Sequence, residues 1–417
     1  MTPAQHAQGH AVIIGAGHAG GTLAALLRQY GHPGPITLVG GEDLPPYQRP
    51  PLSKAWLQQA MGPDDLLLRP ASAYADQAIA LRLGVRAMAI EPGSRQVALN
   101  DGSALHYDHL VIATGAAPRW LALPGGERPG VTYLRTMEDA QALRGHLQTA
   151  RCLAIIGGGY VGLEVASTAR KLGVQVRVIE REGRLLSRSA SPQMAAHLHG
   201  LHAGQGVEVH FNASVTAIQG DSPTGITGLR MADGSRLECD AVLIGVGAAP
   251  SVELAQSLGL DCAGGIAVDG EGRTAMAGIY AIGDATRRPL AGYPGLHRLE
   301  SVPSALEQAR RAACAITGRA LPAHEAPWFW SDQYDTKLQI AGLPGHGDQT
   351  VLRGDPASGR FAVLHLRGGQ LCAAECVNSP GEFMAARKAI AATHCADPGF
   401  PPRPPKAPPT PCPPSPS

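Results

Sequence analysis

Gly15, Gly17 and Gly20 are spaced GxGxxG, and Gly157, Gly159 and Gly162 repeat that spacing 142 residues later. In such a turn the first glycine permits the bend. The second lets the backbone approach a pyrophosphate, and the third lets helix and strand pack closely. The helix that follows supplies oriented amides and about half a positive charge for the phosphates. Glu180 lies 18 residues beyond Gly162, near the roughly 20 expected for a carboxylate that accepts the ribose hydroxyls. It would repel a 2′-phosphate, so the second site is expected to take NAD and not NADP. Arg181 and Arg184 follow and could soften that preference. The first unit's second strand, 36–39, gives way to Gly40 where the second unit's reaches Glu180. Glu42 is then the candidate for the adenosine ribose of the first nucleotide, with Asp43 as its competitor.

These turns need strands and helices on either side. The apolar run Ala11 to Ile14 enters the first, and Leu23, Leu26, Leu27 and Tyr30 follow it at helical spacing. Residues 152–156 enter the second, and Val161, Val165, Thr168 and Leu172 can face a sheet from one helix. Two βαβ openings mean two dinucleotide-binding units. The strand 110–112 ends in Ala113, Thr114 and Gly115, and Pro118 follows. The strand 241–244 ends in Gly245 and Gly247, and Pro250 follows. Each is a place where the chain could cross between units. The apolar strand 278–282 delivers Asp284 beside Gly283, where a carboxylate could hydrogen-bond a polyol chain, although an isolated turn Asp has the same pattern.

The composition excludes several functions. Lys plus Arg is 35 against 34 Asp plus Glu, so no global basic field points to nucleic acid. No stretch approaches 18 apolar residues, so no membrane span is expected. The start of the chain lacks the basic and apolar regions of a signal peptide. The eight cysteines include no CxxC pair, which argues against a zinc knuckle or Fe–S ligand set, and a reduced, cytoplasmic protein is expected. Beyond Pro322, Trp328, Trp330 and Tyr334 cluster ahead of alternating runs such as Phe361 to Leu366, which read as antiparallel strands. From Pro401 to Ser417, 10 of 17 residues are proline, a tail that builds neither ladder nor core.

The two units, Ala113-Thr114-Gly115 and Gly283-Asp284, resemble the FAD-dependent pyridine-nucleotide oxidoreductases. The segments Pro46 to Lys54, Tyr133 to Thr136, Glu300 to Ala305 and Pro327 to Tyr334 are similar to those of bacterial ferredoxin reductases. Those enzymes serve cytochrome P450 or ring-hydroxylating dioxygenase systems. The resemblance covers residues 9–395. It implies an α/β fold of two Rossmann-like dinucleotide-binding domains, for FAD and for NAD, plus a C-terminal α+β domain. The expected division is an FAD domain of 1–117 and 248–324, an NAD domain of 118–247, a third domain of 325–400 and the tail 401–417. Carried over by position, Ala19 would touch the FAD pyrophosphate, and Lys54, Val85, Arg135, Asp284 and Val302 occupy matching FAD-binding motifs. Arg49 and Lys54 can place positive charge near a reduced flavin. Val302 could offer its amide to the flavin's pyrimidine edge.

Disulfide reductases of this superfamily need a Cys pair in the FAD half, and NADH peroxidases need one Cys there. Residues 1–151 contain none. Cys372 and Cys376 read as buried small hydrophobes. The expected reaction passes a hydride from NADH to FAD and then single electrons to a [2Fe–2S] ferredoxin, since no cluster ligands are visible here. Glu164 could reach the nicotinamide, pair with Lys54, or serve only the helix dipole. Strand alternation puts Trp328 and Trp330 on one face and Phe329 on the other, and the Trp330 face is expected to pack toward the flavin where the ferredoxin docks. Two other readings are an NADH oxidase or quinone reductase, and a non-enzymatic NADH-responsive flavoprotein similar to the apoptosis-inducing factors. The residues leave the oligomeric state open.

Overall fold

The computed structural model describes residues 9–221 and 225–394, so the proline-rich tail lies outside the described residues. The chain builds one architecture twice. The first parallel sheet has the order Ile279–Ala281, His109–Ile112, Ala11–Ile14, Ile36–Val39, Ile79–Arg82. Strands such as Ala11–Ile14 are buried throughout, as near-continuous apolar runs in a doubly covered parallel sheet require. Helices His18–Gln29 and Val302–Thr317 cover one face through Leu23, Leu27, Ala309 and Ala312. A three-stranded antiparallel sheet, residues 87–106, covers the other through Ile90, Val97 and Leu99.

The second parallel sheet runs Val207–His210, Gln175–Ile179, Cys152–Ile156, Ala241–Ile244, Val131–Thr132. Period-2 alternation divides its central strand. Leu153 and Ile155 face helices Met137–Leu147, Tyr160–Lys171 and Pro192–Gly204. Ala154 and Ile156 face a second antiparallel three-stranded sheet within 215–237. Between the units, Ala116–Pro118 pairs antiparallel with Ala248–Pro250, the two segments where the sequence suggested a crossing. Thr114 fastens this junction by donating its hydroxyl to the Ser251 carbonyl at 2.7 Å.

One expectation for helix Tyr160–Lys171 is corrected. Val165 and Thr168 are buried, but Val161 and Leu172 are exposed. The helix is covered on more than one side, by its sheet and by strand Trp328–Gln333, so its buried residues run from Gly162 to Ala169 and do not form a single stripe. Its two ends emerge into solvent.

The third part is an antiparallel sheet ordered Trp328–Gln333, Thr336–Gly342, Gln370–Val377, Arg360–Arg367, Gln349–Asp355. Helix Pro380–His394 packs on it through Phe383, Ala386 and Ile390. Cys372 and Cys376 are buried within this sheet, as expected of small hydrophobes.

Candidate functional site

The glycine turns show why each position admits no side chain, or could. A Cβ on Gly15, whose φ is +117°, would stand 2.1 Å from the Ala113 carbonyl oxygen. One on Gly20 would stand 1.9 Å from the Gly15 carbonyl oxygen. These two glycines are required by the protein itself. Gly17 differs, because a Cβ there would meet nothing within 4 Å. The second turn repeats the pattern. Gly157 closes on the Gly245 carbonyl and Gly162 on that of Gly157, whereas Gly159 has no neighbour nearer than 3.9 Å. Each middle glycine therefore leaves room, at the N-terminus of a 12-residue helix, of the kind a pyrophosphate fills.

The other first-unit residues converge beside that turn. Asp284 follows Gly283, whose own Cβ would lie 3.1 Å from that of Ala19. Arg135 Nη2 meets Asp284 Oδ2 at 2.9 Å, and Gly115 lies against the same guanidinium. Arg49 donates to the Arg135 carbonyl and to Glu42 Oε1, the latter at 2.9 Å. Glu42 Oε2 accepts from the Tyr47 hydroxyl at 2.7 Å. Glu42 is thus half-buried and engaged, whereas Asp43 is exposed beside Gly84. Val85 sits by the same strand end, its amide bonded to the Gly40 carbonyl at 2.9 Å. Val302 opens a 16-residue helix capped by the Ser301 hydroxyl.

His18, the first residue of helix His18–Gln29, went unremarked in the sequence. Its pKa is pushed down to about 4, first by burial and then by the Arg49 and Arg135 guanidiniums, with Asp284 opposing. An imidazole in the variable part of a glycine turn was the available signal. These donors and open backbone fit FAD: a helix terminus with space for phosphates, two arginines, and carboxylates for hydroxyl groups.

In the second unit Glu180 Oε2 accepts from the Gly158 amide at 2.8 Å, which puts the carboxylate above the glycine turn. Arg184 is occupied by the Ala190 and Ser187 carbonyls, and Arg181 pairs with Glu182 in solvent. Neither arginine is turned toward Glu180.

Of the alternatives for Glu164, the geometry selects Lys54. Lys54 Nζ lies 2.6 Å from Glu164 Oε2, and the Ser53 hydroxyl donates to the same oxygen at 2.5 Å. Glu164 Oε1 accepts from the Ser331 hydroxyl at 2.7 Å. One buried carboxylate on helix Tyr160–Lys171 therefore joins the turn Pro50–Ser53 to strand Trp328–Gln333. Burying an ion pair is costly, and removing one partner typically costs about 3–5 kcal/mol, so the four groups must be kept together. Ser53 and Ser331 were missed. Strand alternation within Trp328 to Gln333 placed Ser331 and Gln333 on the Phe329 face, and that was the readable signal.

Trp330 does not join this group. Its ring packs on Trp328 at 5.7 Å between centroids, and Trp328 in turn meets Phe383 and Arg387. Phe329 lies on the other face against Tyr160 at 4.8 Å. No cluster of three or more metal-ligating side chains occurs among the described residues.

The family model for pyridine nucleotide-disulphide oxidoreductases matches residues 9–309, and that for the reductase C-terminal domain matches 328–400. Rhodocoxin reductase of Rhodococcus erythropolis is 42% identical over 91% of this chain and 89% of its own. The ferredoxin–NAD(+) reductase component of the anthranilate 1,2-dioxygenase system of Burkholderia cepacia is 42% identical over 93% of this chain and 95% of its own. The fold also matches the reductase in the crystal structure of a covalent putidaredoxin reductase–putidaredoxin complex. There the TM-score is 0.90 and the identity 39%, over 92% of this chain and 93% of that one. The chain belongs to the pyridine nucleotide-disulphide oxidoreductase family. It is an oxidoreductase whose cofactors are FAD and NAD(P)H.

Proposed function

We propose that this protein is an NADH-dependent ferredoxin reductase, drawing two electrons from NADH and delivering them singly to a [2Fe–2S] ferredoxin that feeds a cytochrome P450 or a ring-hydroxylating dioxygenase. The observation that carries this reading is the missing thiol in the first half of the chain. Disulfide reductases of this family need a Cys pair in the FAD half, and this chain has no cysteine anywhere in residues 1–151. Electrons reaching the flavin therefore cannot pass to a thiol in that half. The relatives named above, each similar over nearly the whole chain, are reductases of this kind.

Gly15, Gly17, Ala19 and Gly20 hold the FAD pyrophosphate, with His18 neutral beside it. Glu42 takes the adenosine ribose, at the expense of part of its bonding to Tyr47 and Arg49. Arg135 and Asp284 take the ribityl side, with Ala113, Thr114 and Gly115 shaping the wall. Val85 lines the adenosine end and Val302 presents its amide. Gly157, Gly159, Gly162 and Glu180 hold NADH. When bound, FAD supplies hydride acceptance and one-electron release; the protein supplies orientation and charge. Lys54 puts a cation at the flavin edge and Glu164 fixes where that cation points. The three-domain division at 117, 247 and 324 follows from this assignment. A cytoplasmic setting agrees with the six free thiols of the described residues.

Purified protein should show a flavin spectrum that bleaches on anaerobic titration with NADH and hardly at all with NADPH. A spectrum without flavin, or equal bleaching by both, would overturn the assignment of these sites.

A further inference from the structure

The carboxylate of Glu164 is the end of a longer buried chain. Facing Lys54, it only accepts, so the Ser331 hydroxyl must donate to it. Ser331 Oγ then accepts from Gln333 Nε2 at 3.1 Å. That choice turns Gln333 Oε1 toward His202 Nε2, 2.8 Å away, which must carry the proton. His202 Nδ1 is left to accept from the Tyr334 hydroxyl at 3.3 Å. Burial favours the neutral imidazole this requires. Every donor in the series points the same way, from Tyr334 to Glu164. Ser331, Gln333 and His202 are all at most 1% exposed.

The segment carrying this chain is also held by force. Tyr334 has φ of +54°, a conformation that disfavours residues with a Cβ. Its amide is fixed by the Ser167 hydroxyl at 2.6 Å and its carbonyl by Lys171 Nζ at 3.2 Å, both on the helix that bears Glu164. Backbone strain persists only where the surroundings over-determine it. A carboxamide in mid-chain does not pass a proton as hydroxyls do, so this arrangement fixes geometry and is not a proton path.

We propose that Ser331, Gln333 and His202 are positioning residues that hold the Glu164 carboxylate against Lys54, so that the C-terminal sheet and helix Pro192–Gly204 set the charge presented to the flavin. The proposal rests on the reading that Lys54 and Glu164 lie at the flavin edge. Loosening Glu164 leaves the Lys54 charge less compensated, which favours the reduced, more negative flavin and raises its midpoint potential.

The test compares Gln333→Met, Ser331→Ala and Ser331→Thr holoenzymes with Glu164→Gln, reading flavin midpoint potential and stopped-flow reduction by NADH. Gln333→Met and Ser331→Ala should raise the potential in the same direction as Glu164→Gln. Reduction by NADH should be no slower than in the parent, because a higher potential favours hydride acceptance. Ser331→Thr, which keeps the hydroxyl, should stay near the parent. Gln333→Met combined with Glu164→Gln should shift the potential no further than Glu164→Gln alone. If Glu164→Gln shifts the potential while Gln333→Met and Ser331→Ala do not, the chain is structural only and the proposal fails. If Glu164→Gln changes neither quantity, the flavin-edge reading itself fails. Should Gln333→Met not fold, Ser331→Ala, which removes one oxygen, decides the matter alone.

Discussion

Gly17 and Gly20 lie three positions apart and should answer differently to the same methyl group. At Gly20 the Cβ would stand 1.9 Å from a backbone oxygen, so Gly20→Ala should cost about 3 kcal/mol or more of stability. At Gly17 the space is open, so Gly17→Ala should leave the apoprotein within about 0.5 kcal/mol of the parent. FAD affinity should nonetheless fall at least about tenfold, because the methyl group occupies the pyrophosphate position. Thermal melting of apoprotein and FAD titration separate the two effects. His18 carries a pH signature in the same place. Its folded pKa of about 4 lies below the ordinary 6.5, so the unfolded chain binds a proton that the folded chain refuses. The stability His18 contributes is complete above about pH 6.5 and is lost as pH falls toward 4. The melting temperature of His18→Leu apoprotein should therefore fall less steeply than the parent's across that window. Parallel curves would show that His18 is not held neutral. Glu180 should give NADH a roughly 10²-fold advantage in kcat/KM over NADPH, the equivalent of a few kcal/mol of like-charge repulsion. Glu180→Ser should narrow it. Comparable constants in the parent would make Arg181 or Arg184 the phosphate partner.

Strand Trp328–Gln333 has two faces with two duties. Phe329, Ser331 and Gln333 point to the second parallel-sheet unit, where Phe329 meets Tyr160 and Ser331 meets Glu164. Trp328 and Trp330 point the other way, with Trp328 leaning on helix Pro380–His394. Trp330→Ala should keep FAD bound and leave reduction by NADH nearly intact, while electron delivery to the ferredoxin falls. Loss of FAD or of the fold would make Trp330 a core residue, and two unchanged half-reactions would remove it from the site altogether. The alternation on this strand was legible because a period of two survives whatever the strand packs against. Which face meets the rest of the molecule was not legible, since that depends on contacts made 167 residues away. Helix Tyr160–Lys171 failed for a related reason. A pattern search expects one apolar stripe, and this helix is covered on more than one side.

The architecture itself was readable because glycine turns are local. Each is bounded by a strand and a helix, and the steric demands on Gly15, Gly20, Gly157 and Gly162 arise within one βαβ unit and the strand beside it. The crossing segments were readable too, because glycine and proline mark where a parallel sheet ends. What a sequence hides is convergence. Lys54, Glu164 and Ser331 belong to three separate parts of the fold, and only their packing shows that one carboxylate joins them. The ground for an electron carrier outside the molecule is the missing thiol in the first 151 residues together with the similarity to ferredoxin reductases. The most direct measurement is NADH-driven cytochrome c reduction with and without an added [2Fe–2S] ferredoxin, with oxygen uptake followed in parallel. The ferredoxin should raise the rate at least about tenfold over that of the reductase alone, with little oxygen consumed. Equal rates with and without ferredoxin, or stoichiometric oxygen uptake, would contradict it and point to an oxidase or quinone reductase.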